Sequence, residues 1–323
     1  MILFSRSRGR LIAAALLVMV WAIPSWAGDE TLDELIEQVG STYAEGYLAP
    51  LVHGFGINVN TGLYHTAKIP NTRLKFSVGF KTMATKINDA DKSFRIVQPV
   101  TLDENLGFEP GDDGYGEEGQ LVFEGPTVFG DEDEKGTVTA YYHGVPAFQQ
   151  SGITSLVDMD YVLLITPEVS VGGIAGIEAK LRWLPTMTVG DMGDLNYLGF
   201  GVAYGVSNLM PTLPFDARVG FFYQNLGIGE MLQTSGTSFY AAASKSFAML
   251  TVYAGAAKES SSMDVEYTFT SDTSQTSEIS FSVDGIQGGR GTLGATLNFG
   301  LLVNAEVNFG KLTTYSAGIL FGF

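Results

Sequence analysis

Eight charged residues sit on alternate positions of apolar stretches, and that spacing limits the chemistry open to them. Lys75 and Lys81 interleave with Leu74, Phe76, Val78 and Phe80. Glu178, Lys180 and Arg182 interleave with Ile177, Ala179, Leu181 and Trp183. Asp216 and Arg218 alternate with Phe215, Ala217 and Val219, and Glu306 lies between Ala305 and Val307. Residues two apart on a strand share a face, so each stretch has one ionic face and one oily face. Ionic groups of both signs on one face can line a passage and select solutes by charge. They can instead pair with one another inside a filled interior. Asp216 and Arg218 recur along one face, which favours pairing. Turned toward hydrocarbon, a midplane Arg or Lys would cost about 2–4 kcal/mol, so against lipid the polar face must look inward.

Other chemistry finds little support. The three histidines, His53, His65 and His143, make no metal pair at helical spacing, and without cysteine there is no structural zinc set. No G-x-S-x-G elbow occurs, and no enzymatic activity or cofactor is expected. Asp131 and Asp133 lie in an acidic run, Asp131 to Glu134, which could bind calcium through carboxylate oxygens. The full D-x-D-x-D-G…E spacing is missing, so a solvated charge run is expected and no metal site. The formal net charge of −17 argues against nucleic acid, whose phosphates demand clustered Lys and Arg.

The elements that must carry the ionic face read as strands. Beyond those above, Leu198, Phe200 and Val202 alternate with Gly199 and Gly201. Leu293, Ala295, Leu297 and Phe299 alternate with Gly294, Thr296 and Asn298. The chain ends on Tyr315, Ala317, Ile319, Phe321 and Phe323 at every second position. A soluble sandwich buries such an oily face as its core. A transmembrane barrel turns it toward lipid and encloses the polar face. Segment length favours the barrel, because several segments approach the roughly 9–11 residues of a tilted membrane strand. Aromatics near strand ends (Trp183, Tyr197, Tyr223, Tyr253, Tyr267, Tyr315) fit interfacial girdles. Many of the 40 glycines fall on the polar face, where they leave room and permit curvature. The expected fold is therefore all-β: a transmembrane antiparallel β-barrel of about 14 strands, within 12–16, with a short N-terminal amphipathic helix. The first strand is expected near 52–66, and tight turns at Ala175, near Ser246, at Gly300 and around Lys311.

Residues 1–27 have the layout of a secretory signal peptide: Arg6, Arg8 and Arg10, an apolar run from Leu11 to Ile23, then Pro24 and small residues before Gly28. Losing the three arginines would leave the mature chain at −20. Residues 28–50 are read as helix and lead-in. Thr31 and Glu34 make a capping box, and Leu32, Leu35, Ile36, Val39 and Tyr43 share a helical face. A helix of about 12–15 residues there could plug or cap a barrel mouth. The barrel is expected over 51–323, interrupted by an irregular acidic loop at 103–134 that holds twelve Asp or Glu and no Lys or Arg. It is external if the missing strand lies near 93–101 and periplasmic if it lies near 136–144.

Three stretches carry a resemblance. Tyr47-Leu48-Ala49-Pro50-Leu51 with Gly54-Phe55-Gly56 and Gly62 to Lys68 form the first. Pro167 to Gly172 leading to Leu181-Arg182-Trp183-Leu184-Pro185 form the second. Ala243 to Phe247 with Tyr253-Ala254-Gly255 form the third. Together they resemble a family of uncharacterised bacterial outer-membrane-type proteins, a domain of unknown function, over most of 40–323. The resemblance implies a barrel and no catalytic residues. The layout is also similar to FadL-type transporters of hydrophobic molecules, as fold analogy alone. The expected location is a bacterial outer membrane, with outer-membrane lipid and the barrel-assembly machinery as partners. Tyr315, Ile319, Phe321 and Phe323 would form the assembly signal. The expected function is passage of small or hydrophobic solutes; the alternative is a non-transporting structural or surface-interaction barrel with a filled lumen.

Overall fold

The computed structural model describes residues 32–102, 108–155, 159–188, 194–229, 232–270 and 276–322. The leader at 1–27, the Thr31 cap and Phe323 lie outside them. Among the described residues one α-helix, α1 (Leu32–Val59), precedes fifteen strands. Ten strands close a ring in which every neighbouring pair is antiparallel. In ring order they are β1 (Thr72–Lys86), β6 (Tyr161–Ile174), β7 (Ile177–Thr188), β8 (Asp194–Gly205), β9 (Asp216–Ile228) and β10 (Leu232–Phe247). The ring continues through β11 (Leu250–Thr270), β13 (Gly288–Asn298), β14 (Leu301–Phe309) and β15 (Thr314–Gly322), which pairs with β1. The final strand thus seals the wall: Val78 lies opposite Phe321 and Phe80 opposite Ile319. An eleventh strand, β12 (Thr276–Asp284), pairs with the far half of β11 outside the ring.

The alternation decides which way the faces turn. Phe80 is 44% exposed, Phe200 51% and Ile319 51%, although all three are large and apolar. Their strand neighbours Lys81, Gly201 and Gly318 point inward, and Lys81 is fully buried. The oily face is therefore the outside of the barrel and the ionic face its interior, the reverse of a soluble sandwich. Phe222, which breaks the alternation of β9, is explained by the same geometry. It points into the lumen, and the Arg182 guanidinium lies 5.5 Å from its ring centre.

The remaining strands build a second sheet at one rim. β2 (Ser93–Thr101), β3 (Glu118–Pro126), β4 (Lys135–Tyr142) and β5 (Val145–Thr154) pair in sequence order between the end of β1 and the start of β6. Both expected sites for a missing barrel strand, 93–101 and 136–144, are strands, but of this sheet and not of the barrel. The acidic segment accordingly lies at the rim opposite the C-terminus. That rim also holds the β14–β15 connection; the C-terminal rim holds the β6–β7, β8–β9, β10–β11 and β13–β14 connections. Three of the four expected tight turns fall on the C-terminal rim. At Ala175 (φ 52°) and Gly176 (φ 72°) both central residues are left-handed, the twist that a two-residue hairpin requires.

The N-terminal segment departs most from expectation. No strand occupies 52–66: α1 runs 28 residues to Val59, and residues 60–71 follow as an irregular strap. Phe55, Ile57 and Val59 alternate with Gly56 and Asn58, which imitates a strand. The helix end is enclosed on all sides, so its sequence lacks the one-sided apolar stripe of a surface helix. Gly54 and Gly56 let it press on the wall. A Cβ at Gly54 would sit 2.4 Å from Val162, and one at Gly56 would sit 2.2 Å from Ser261 Oγ.

Candidate functional site: an ionic lumen closed by the chain itself

The interior face of the ring is a layered set of cross-strand pairs. Glu168 on β6 lies directly opposite Arg182 on β7, and Lys180 is one inward position away. The Glu168 carboxylate takes both, Arg182 Nε at 2.9 Å and Lys180 Nζ at 2.6 Å. The next pair spans two strand gaps. Glu178 on β7 faces Ala203 on β8, which faces Gly220 on β9. These small residues leave space for Arg218 to reach Glu178 at 2.9 Å. Lys81 on β1 reaches across Gly318 on β15 to Asn304 Oδ1 on β14, 2.8 Å away. A Cβ at Gly318 would lie 2.6 Å from Lys81 Cδ and 2.5 Å from Asn304 Oδ1, so the glycine makes this crossing sterically open. Glu306 receives Tyr253 Oη at 2.8 Å and Asn308 Nδ2 at 3.1 Å. Arg290 on β13 pairs with Glu259 on β11 at 2.7 Å.

The same groups hold the strap. Arg182 donates to the carbonyls of Thr61 (2.8 Å) and Gly62, while the Gly62 amide donates to Glu306 at 3.1 Å. Gly62 sits at φ +71°, and a Cβ there would meet Ser316 Oγ at 2.9 Å. Arg290 donates to the Thr61 hydroxyl at 2.8 Å, and Thr296 donates to the carbonyl of His65 at 2.6 Å. Further along, the Ala67 amide donates to Ser244 Oγ at 2.8 Å, and Asn208 donates to the carbonyl of Ile69 at 3.0 Å. Apolar contacts fill the space between. Tyr64 stacks on Tyr240 and meets Tyr253 edge-on, and Leu63 and Ile69 are buried in the same cluster with Phe222. The strap thus crosses the lumen from the end of α1 to the C-terminal rim. The wall thus takes the carbonyls of Thr61, Gly62, His65 and Ile69 and the amides of Gly62 and Ala67, the kind of pairing that an irregular segment at that depth requires.

At the opposite rim α1 plugs the mouth beneath the second sheet. Tyr43 and Tyr47 are buried with Phe123, Val128, Phe129 and Val138, and Tyr43 meets Phe94 edge-on. Asn58, near the end of the helix, donates to the carbonyl of Val162 and accepts from Thr85, both at 2.8 Å.

Among the charges expected on the inner face, Lys180, Arg182, Arg218 and Glu306 are buried there, and Glu178 joins them through Arg218. Lys75 and Asp216 sit nearer the C-terminal rim and are half-buried. The expected Asp216–Arg218 pairing is not formed; Arg218 turns to Glu178 two strands away, across the space that Ala203 and Gly220 leave. The ring's other members were legible only by parity. Glu168 sits between the outward Pro167 and Val169, whereas Glu259 and Arg290 lie in serine- and glycine-rich stretches with little alternation. Two aromatics expected in interfacial girdles, Tyr197 and Tyr253, are instead buried in the lumen, where Tyr197 donates to Gln224. Trp183 and Tyr315 do face outward, and the side chain of Tyr267 lies outside the described residues. His65 is buried on the strap and His53 lies in α1, not on a shared strand. Asp131 accepts the Asp133 amide at 2.9 Å beside Lys92, and among the described residues no three acidic or histidine side chains converge for a metal.

Residues 8–323 match the family described as "Family of unknown function (DUF6588)", and the chain belongs to that family. No curated protein matches it. Solved structures with similarity include OmpT of Vibrio cholerae in its trimer form, at 12% identity over 78% of this chain and 100% of that one, TM-score 0.24. The toluene transporter TbuX of Ralstonia pickettii is 8% identical over 80% of this chain and 91% of that one, TM-score 0.28. OmpF of Salmonella typhi, in complex with daunomycin, is 10% identical over 78% and 98%, TM-score 0.19. The barrel is closed by its own strand pairing, β15 on β1.

Proposed function

We propose that this DUF6588 chain is an outer-membrane barrel with a filled lumen, acting as a structural or surface-interaction protein through its rims. The single observation that carries this reading is the strap. Residues 60–69 lie across the interior and are hydrogen-bonded to it by Arg182, Glu306, Arg290, Thr296, Ser244 and Asn208. The outward apolar belt supports placement in lipid, since exposure of so much contiguous oily surface is otherwise an aggregation liability. The alternation of Tyr315, Ile319 and Phe321 on the closing strand supports handling by the barrel-assembly machinery. The acidic four-stranded sheet, carried at the rim opposite the C-terminus, is the surface offered to a partner.

A second reading, passage of small or hydrophobic solutes, is favoured by one feature. The strap is held by side chains and not by strand pairing, so its departure would leave a polar, glycine-lined interior without breaking the wall. Membrane fractionation with unheated gel electrophoresis tests the location. A heat-modifiable band in the outer-membrane fraction is expected, and a soluble periplasmic band would refute it.

A further inference from the structure

The C-terminal rim is built unlike the opposite one. Its connections, 175–176, 206–215, 248–249 and 299–300, contain no Asp, Glu, Lys or Arg. They expose large apolar side chains instead, Leu209 at 68%, Met249 at 62% and Phe299 at 61% among them. The opposite rim carries ten Asp and Glu between 108 and 134. Where the strap leaves the barrel, a pocket of about 340 Å³ opens between the 206–215 loop and the end of β10. Lys68 and Lys245 line it with Ser207, Ser244 and Ser246, and Met210, Leu213 and Phe215 form its apolar side. Asp216 is the carboxylate among its lining residues. Lys245 donates to the carbonyl of Pro214, which leaves donors of its ammonium group for a ligand.

We propose that this pocket binds the phosphate of an anionic phospholipid from the leaflet that meets the C-terminal rim. Two ammonium groups and serine hydroxyls suit a phosphate. The apolar wall and the oily turn tips suit the attached acyl chains and distinguish the site from one for a free anion. Charge balance assigns the side: in this pocket Lys68 and Lys245 outnumber Asp216 beside apolar turn tips, whereas ten carboxylates crowd residues 108–134 at the other rim. The inference rests on the membrane reading above, so its test reads folding and lipid retention separately.

The full chain is purified in detergent, checked for heat modifiability, and examined by native mass spectrometry with phosphatidylglycerol or phosphatidylcholine. Phosphatidylglycerol is expected to be retained about tenfold or more over phosphatidylcholine, and K68Q/K245Q to lose that preference. Asp216→Asn removes the opposing carboxylate and is expected to strengthen retention several-fold. Equal retention of both lipids, an unchanged K68Q/K245Q, or unchanged or weakened retention in Asp216→Asn would overturn the site. So would full displacement by millimolar inorganic phosphate, which would mean an anion pocket without lipid recognition. A protein that shows no heat modifiability would fail the membrane reading itself, whatever lipid it retains.

Discussion

Glu168 is the residue on which the interior turns. Its carboxylate answers two buried cations, and Arg182 in turn binds the strap. Removing one partner from a buried ionic cluster leaves uncompensated charge, at a cost of about 3–5 kcal/mol. Glu168→Gln should therefore lower stability by that amount in urea unfolding from vesicles, and a loss below about 1 kcal/mol would contradict the described network. The crossing of Lys81 over Gly318 makes a sharper steric statement, since any Cβ at 318 collides with both partners. Outside the barrel, Tyr142 donates to Glu117 at 2.7 Å, and that bond holds its hydroxyl up to about 12. The protonated form is favoured in the folded state. The contribution of this pair is thus fully present below the ordinary tyrosine value of about 10 and is lost as pH rises through about 12. By phenolate absorbance, Glu117→Gln should move one tyrosine equivalent from late titration back toward the ordinary range, and an unchanged titration would contradict the pair.

At the scale of elements, the strongly alternating barrel strands were plain in the sequence, whereas β11 reads there as two strands and the segment inside the barrel was not legible at all. Long alternating runs such as Leu198 to Val202 carry their own proof, because one face meets an apolar medium along its whole length. Residues 52–66 carry no such proof. A helix end and strap enclosed by a polar wall need neither a one-sided stripe nor a strict period of two, and Phe55, Ile57 and Val59 happened to alternate. The second sheet was hidden for a related reason: its strands lie among acidic and glycine-rich residues, and that composition reads as loop. Two substitutions test the wall. Phe80→Arg places a charge on the outward face and should cost about 2–4 kcal/mol in vesicles, whereas a water-facing position would tolerate it with almost no loss. Ala175→Gly relieves a left-handed residue in the β6–β7 turn and should stabilise by about 1 kcal/mol in the same unfolding assay.

For the whole molecule, ten strands enclose a narrower space than the expected fourteen would, and the chain fills it. The surplus strands went to the rim sheet. Membership of the ring could not be read from alternation, because β2 to β5 are about as long as β14 and β15. The inner charges were legible by parity, but whether they lined a passage or filled a core depended on the strap. A truncation tests that dependence. Deleting residues 31–46 removes only the outer part of α1 and leaves the strap with all its wall contacts, so it should not open the barrel. The most direct measurement is single-channel recording of the purified, heat-modifiable full chain in a planar bilayer. A lumen closed by residues 60–69 predicts no conductance steps; steady open-channel steps from the intact chain would contradict it.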